Sequence, residues 1–122
     1  MLLVVDDDAG LRGGVVRLLK SMGYRAEGLA SGEEALAHVR ECKPTLVILD
    51  YAMPGMNGLQ LTAESKRRWP HLPILLLTGW GESLLQTHIA ETLPDAVLGK
   101  PINQSDLLDA VARTLRENVR TR

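Results

Sequence analysis

Phenylalanine is absent from the 122 residues, and two tryptophans and two tyrosines are the whole aromatic complement. A core must therefore be built from aliphatic side chains, and these are plentiful, since apolar residues make up 45% of the chain. Cysteine occurs once, at Cys42, which excludes an internal disulfide and a four-thiolate zinc site and fits a reducing compartment. No apolar run approaches the roughly 20 residues that a membrane helix needs, and no charged-then-apolar leader opens the chain. Neither sign of charge dominates. Lys and Arg total 14 against 15 Asp and Glu, and a net charge of −1 gives no electrostatic reason to expect nucleic-acid or anionic-membrane binding. The length suits one domain with a real core, so residues 1–122 are expected to form a single cytoplasmic domain with no membrane insertion.

What is present is an alternation. Short runs rich in Val, Ile and Leu recur between amphipathic stretches, the pattern of buried parallel strands covered by helices on both faces. Strands are expected over Leu2 to Val5, Tyr24 to Leu29, Thr45 to Leu49, Ile74 to Leu77 and Ala96 to Leu98. Between the first two, Leu11, Val15, Leu18, Leu19 and Met22 follow helical spacing, with Gly23 where a left-handed C-terminal cap is wanted. Ser31 and Glu34 read as a capping box opening a second helix to about Glu41, before Pro44. A third helix is expected from about Gly58 to Trp69, where Trp69 packs at the helix end before Pro70. A fourth is expected over roughly Glu82 to Thr92, and a fifth is capped by Asn103 with Leu107, Leu108, Val111 and Leu115 on one face. Five such units imply an α/β fold with an open parallel sheet and right-handed crossovers, whose ligands sit at the carboxyl ends of the strands.

The polar residues collect at that edge. Asp6, Asp7 and Asp8 end the first strand and Asp50 ends the third. Gathered carboxylates repel one another, and a hard divalent cation such as Mg²⁺ is a usual remedy. Thr78 and Lys100 arrive at the same edge from the last two strands. Nucleophile, metal, hydroxyl and ammonium together suit phosphoryl transfer, which needs alignment and charge neutralisation more than covalent help. Taken singly the residues have blander explanations: Asp8 before a helix reads as an N-cap, Thr78 as sheet chemistry and Lys100 as solvated. Their joint placement makes the case. His38, His71 and His88 share no ligand spacing, and the arginines at 113, 116, 120 and 122 read as a solvated face and tail.

Val4-Val5-Asp6-Asp7-Asp8, the block from Val47 to Gly58 that contains Asp50-Tyr51-Ala52-Met53-Pro54-Gly55, Leu77-Thr78-Gly79 and Lys100-Pro101 resemble, in order, the four signatures of response-regulator receiver domains. The resemblance covers essentially the whole chain. It implies a doubly wound, flavodoxin-like sheet in strand order 2-1-3-4-5 with five helices. It also implies a signalling phosphoacceptor rather than a turnover enzyme, although one that catalyses its own phosphorylation and dephosphorylation. Asp50 would take the phosphoryl group from a histidine kinase or histidine phosphotransfer protein. Asp7, Asp50 and the Ala52 backbone carbonyl would bind Mg²⁺, and Asp6 would reach the metal mainly through water. Thr78 and Lys100 would sense the phosphoryl group, and the Lys100–Pro101 bond would be cis. The chain is expected to be either a stand-alone regulator or a piece of a longer signalling protein such as a hybrid histidine kinase, and Met1 standing directly against the first strand favours the second.

Departures from the family pattern bear on output. Val97 stands where an aromatic switch is common and Ile102 where phenylalanine follows the Lys-Pro pair, both taking aromatic area from one face of the domain. By the same resemblance Ala52 and Trp80 would flank the path of attacking water, so slow hydrolysis of the acyl phosphate is expected. Two other classes remain. A haloacid-dehalogenase-type hydrolase would want Asp at position 52, which is Ala. A receiver-like module that binds proteins without phosphorylation would not require all five polar residues.

Overall fold

The computed structural model describes residues 1–53, 55–79, 94–100 and 102–120, with side chains through Arg116. In chain order the elements are β1 (Leu2–Val5), α1 (Ala9–Ser21), β2 (Ala26–Leu29), α2 (Gly32–Cys42), β3 (Leu46–Asp50), α3 (Gly58–Arg68), β4 (Ile74–Thr78), β5 (Ala96–Gly99) and α4 (Gln104–Arg120). All four strand pairings are parallel, and the order is β2-β1-β3-β4-β5. The doubly wound, flavodoxin-like expectation is met. The helix expected over residues 82–92 lies outside the described residues, which hold four helices.

Successive strand residues point to opposite faces, and here both faces are covered. Leu3, Val5, Val47, Leu49, Ile74 and Leu76 pack with Ala35 and Val39 of α2 and Leu59 and Leu61 of α3. Leu2, Val4, Leu46, Ile48, Leu75 and Leu77 pack with Leu19 of α1 and Leu107, Ala110 and Val111 of α4. Among the described residues no aromatic side chain is fully within the core; Trp69 and Tyr51 pack at its margin. Each fully buried leucine or isoleucine contributes on the order of 2 kcal/mol.

The helix ends follow local chemistry. Asp8 accepts from the Gly10 and Leu11 amides and caps α1, as its position predicts. At the other end Gly23 adopts φ 92°, its amide donates to Lys20 O and that of Tyr24 to Leu19 O, a Schellman closure. That closure uses Tyr24, so β2 begins at Ala26 rather than at Tyr24. Ser31 accepts from the Glu34 amide, but the Glu34 carboxylate returns to the Ala30 amide rather than to Ser31, so the box is displaced by one residue. Asn57 and Gln60 form a full reciprocal box at α3, which the sequence reading had not marked. Asn103 caps α4 through the Ser105 and Asp106 amides.

One expectation is corrected. Val97 and Ile102 do not share a face, because Val97 packs on the α2–α3 side of the sheet and Ile102 on the α1–α4 side.

Candidate functional site

Register gathers the polar residues. Val5 pairs with Leu49, so Asp6 and Asp50, the next residue on each chain, leave the sheet side by side. Asp50 pairs with Leu77 and Thr78 with Gly99, which puts Thr78 and Lys100 one step further on at the same edge. The strands run one residue beyond the sequence-based limits here: the Tyr51 amide still donates to Leu77 O at 2.8 Å and the Lys100 amide to Thr78 O at 2.7 Å. Asp50 and Thr78 are therefore held by the ladder itself.

Asp6 and Asp50 are each 4% exposed, Thr78 is buried and Asp7 is exposed. One oxygen from each of Asp6, Asp7 and Asp50 lies within 4.8 Å of the others. Lys100 Nζ stands 2.5 Å from Asp50 Oδ1 as an ion pair, approached off the direction of a hydrogen bond. Burial pushes the Asp6 carboxyl above its ordinary value near 3.8. The Asp8 amide, donating to Asp6 Oδ1 at 2.9 Å, opposes that rise, Asp50 adds to it, Lys100 opposes it and Asp7 adds to it.

The loop after β3 returns tightly to the site. The Gly58 amide donates to Tyr51 O, and a Cβ at Gly58 would stand 2.6 Å from Asp50 O and 2.8 Å from Leu76 Cδ1. Only glycine lets the start of α3 approach this closely.

The structure thus brings Asp6, Asp7, Asp50, Thr78 and Lys100 together, while Asp8 serves as a cap. Ala52 lies exposed in the loop two residues past Asp50. Trp80 and Pro101, and with Pro101 the expected cis bond, lie outside the described residues. Sequence reasoning missed Arg12, whose guanidinium donates to Asp6 O at 2.8 Å. An arginine in the first turns of an amphipathic helix reads as solvated, and a main-chain acceptor leaves no mark in the sequence.

The donors are all oxygens, and three carboxylates face one ammonium. Such a set could hold a metal ion, and a hard divalent cation fits it best.

The sequence profile for the response regulator receiver domain matches residues 2–112. The DNA-binding response regulator MtrA of Mycolicibacterium paratuberculosis is 34% identical over 117 residues, 96% of this chain and 52% of that protein. Nodulation protein W of Bradyrhizobium diazoefficiens is 31% identical over 121 residues, 98% of this chain and 53% of that protein. The chain spans about half the length of these curated relatives. Among solved structures, a CheY-like response regulator receiver domain protein from Methanospirillum hungatei superposes with a TM-score of 0.93 at 26% identity, covering 99% of this chain and 97% of that one. Chemotaxis protein CheY4 of Vibrio cholerae gives 0.87 at 30% identity, covering 93% and 96%. Profile, relatives and fold agree, and the chain belongs to the response-regulator receiver domains, the signalling modules of two-component systems.

Proposed function

We propose that residues 1–122 act as one receiver domain that accepts a phosphoryl group on Asp50 from a histidine kinase or histidine phosphotransfer protein, with Mg²⁺ as its resident cation. The observation that carries this is the placement of Asp50: buried, at the end of a central strand, ion-paired to Lys100 and within 4.8 Å of two further carboxylates. An Asp50 carboxylate oxygen forms the new bond to phosphorus while the bond to the donor nitrogen breaks, and the donor imidazole keeps the electron pair. An acyl phosphate results. Asp7, Asp50 and the Ala52 carbonyl would hold Mg²⁺, with Asp6 acting mainly through water, and the cation would neutralise charge on the phosphoryl oxygens. Lys100 stands ready to follow those oxygens as the Asp50 charge is consumed, and the Thr78 hydroxyl donates to one of them.

A cytoplasmic site of action accords with the finding that no helix among the described residues is long and apolar enough to cross a membrane. The near-neutral charge gives no electrostatic reason to expect direct nucleic-acid binding by this domain. The test is acid-labile labelling by acetyl phosphate in Mg²⁺, which Asp50→Asn abolishes and Asp8→Asn retains. Labelling that survives in Asp50→Asn moves the nucleophile elsewhere; no labelling of the wild type favours a module that works by protein contact alone.

A further inference from the structure

Arg12 lies four residues into α1, yet its side chain turns back towards the sheet. Its Nη1 donates to the main-chain oxygen of Asp6 at 2.8 Å. Its stem crosses β2 at Gly28, so closely that a Cβ there would stand 2.8 Å from Arg12 Cγ and 3.0 Å from Cδ. These are mid-stem atoms and cannot swing aside without carrying the guanidinium with them.

The two contacts bear on one stretch of backbone. Gly28 pairs with Val4 of β1, and the Asp6 amide donates to Leu29 O at 3.1 Å. The Asp6 carbonyl comes just past β1, and the arginine occupies it from the α1 side. Because a peptide group is planar, holding the Asp6 oxygen also orients the Asp7 nitrogen and the direction in which Asp7 departs. Gly28 has no other evident reason to be glycine. It lacks the left-handed φ seen at Gly23 and Gly55, and glycine weakens a strand.

We infer that Arg12 is a positioning residue for the acidic site, a strut laid over Gly28 that aims Asp7, and that position 28 is glycine so that the strut can reach. The inference rests on the metal-binding part of the function proposed above. Arginine suits the task because its planar fork holds direction where a lysine ammonium would not.

The decisive variant is Gly28→Ala, not a change at Arg12 alone. Neutralising Arg12 removes a cation near a cation site, which by itself favours Mg²⁺, whereas Gly28→Ala displaces the strut and leaves every charge in place. Mg²⁺ is titrated calorimetrically into wild type, Gly28→Ala, Arg12→Met and the double variant of the full chain, with Asp7→Asn as the ligand-loss control. Gly28→Ala should weaken binding on the order of tenfold, the low end for groups that orient a ligand from outside. In the Arg12→Met background the same change should move affinity by less than about twofold, since two changes acting through one strut do not add.

Hydrogen exchange of the Asp8 amide, which donates to Asp6 Oδ1, supplies a metal-free readout. It should quicken in both Gly28→Ala and Arg12→Met, and Arg12→Met decides the point if Gly28→Ala fails to fold. Unchanged affinity and exchange in Gly28→Ala overturn the inference, as does equal weakening in both backgrounds or unchanged exchange in Arg12→Met. A wild type that binds no Mg²⁺ overturns the proposed metal site instead, and Asp8 exchange then judges the strut by itself.

Discussion

Asp6→Asn should stabilise the metal-free domain at neutral pH, and the gain should disappear in acid. The substitution is isosteric, and the Asn side-chain oxygen can still accept from the Asp8 amide, so what changes is charge. Two unit charges 4.8 Å apart, the outer separation of the oxygens in this cluster, repel by about 3.5 kcal/mol at an effective dielectric near 20, and by about 0.9 kcal/mol in bulk water. Asp6 meets two such neighbours, Asp50 and Asp7, and one compensating cation, Lys100. Lys100 offsets roughly one of the two repulsions, and burial of the carboxylate adds to the remainder, so a net gain of about 1–3 kcal/mol is expected. For a chain of this size that raises the melting temperature by about 4–12 °C.

The pH dependence has a definite sign. The folded-state value of Asp6 is raised above its ordinary value near 3.8, so only between those two values does the native wild type hold a proton that the unfolded chain has lost. Its stability falls as pH rises through the raised value and then levels. The variant has no such loss. The gap between the two proteins is therefore full at neutral pH and closes as pH falls towards 3.8. Thermal melting of both proteins in chelator across that range, at low salt, reads it directly, and saturating Mg²⁺ should narrow the gap by stabilising the wild type. Equal melting at pH 7, or a gap that ignores pH, refutes the assignment of Asp6 as a charge buried against its neighbours.

Gly58→Ala forces a Cβ to within 2.6 Å of Asp50 O, so it should lower stability by about 1–3 kcal/mol, read as a lower urea midpoint. An unchanged midpoint would mean that α3 does not approach β3 as described. Phosphoryl-Asp50 should decay slowly after donor removal, because Ala52 offers no side chain to orient water, and Ala52→Asn should speed its loss on the order of tenfold. Unaltered decay in the variant removes Ala52 from that role; the companion residue Trp80 lies outside the described residues.

Much of this was written legibly in the chain. Strands buried on both faces leave unbroken aliphatic runs, and Asp50, Thr78 and Lys100 could be placed because each closes or follows such a run. Gly23 announced its turn because a left-handed cap has a strong residue preference. The misses have common physical causes. Tyr24 looks like a strand residue by type, yet its amide was needed to close α1. The Asn57–Gln60 box begins within the motif block, where Asn57 belongs to the run that follows Asp50 and its capping role is masked. Val97 and Ile102 are five residues apart, an odd separation that strand alternation itself sends to opposite faces, so a shared face conflicts with the period of two. Arg12 acts on a main-chain oxygen six residues back in sequence, and nothing in residue type encodes such an acceptor.

An open sheet has outer strands whose free backbone groups can recruit another chain. In β2 that edge is four residues long, and its middle consists of exposed Glu27, whose Oε2 lies 2.7 Å from His38 Nε2, and exposed Gly28. A short segment with a charge and a glycine at its centre makes a poor template for edge-to-edge pairing. The glycine that gives Arg12 its room therefore also helps guard this margin of the domain against aggregation.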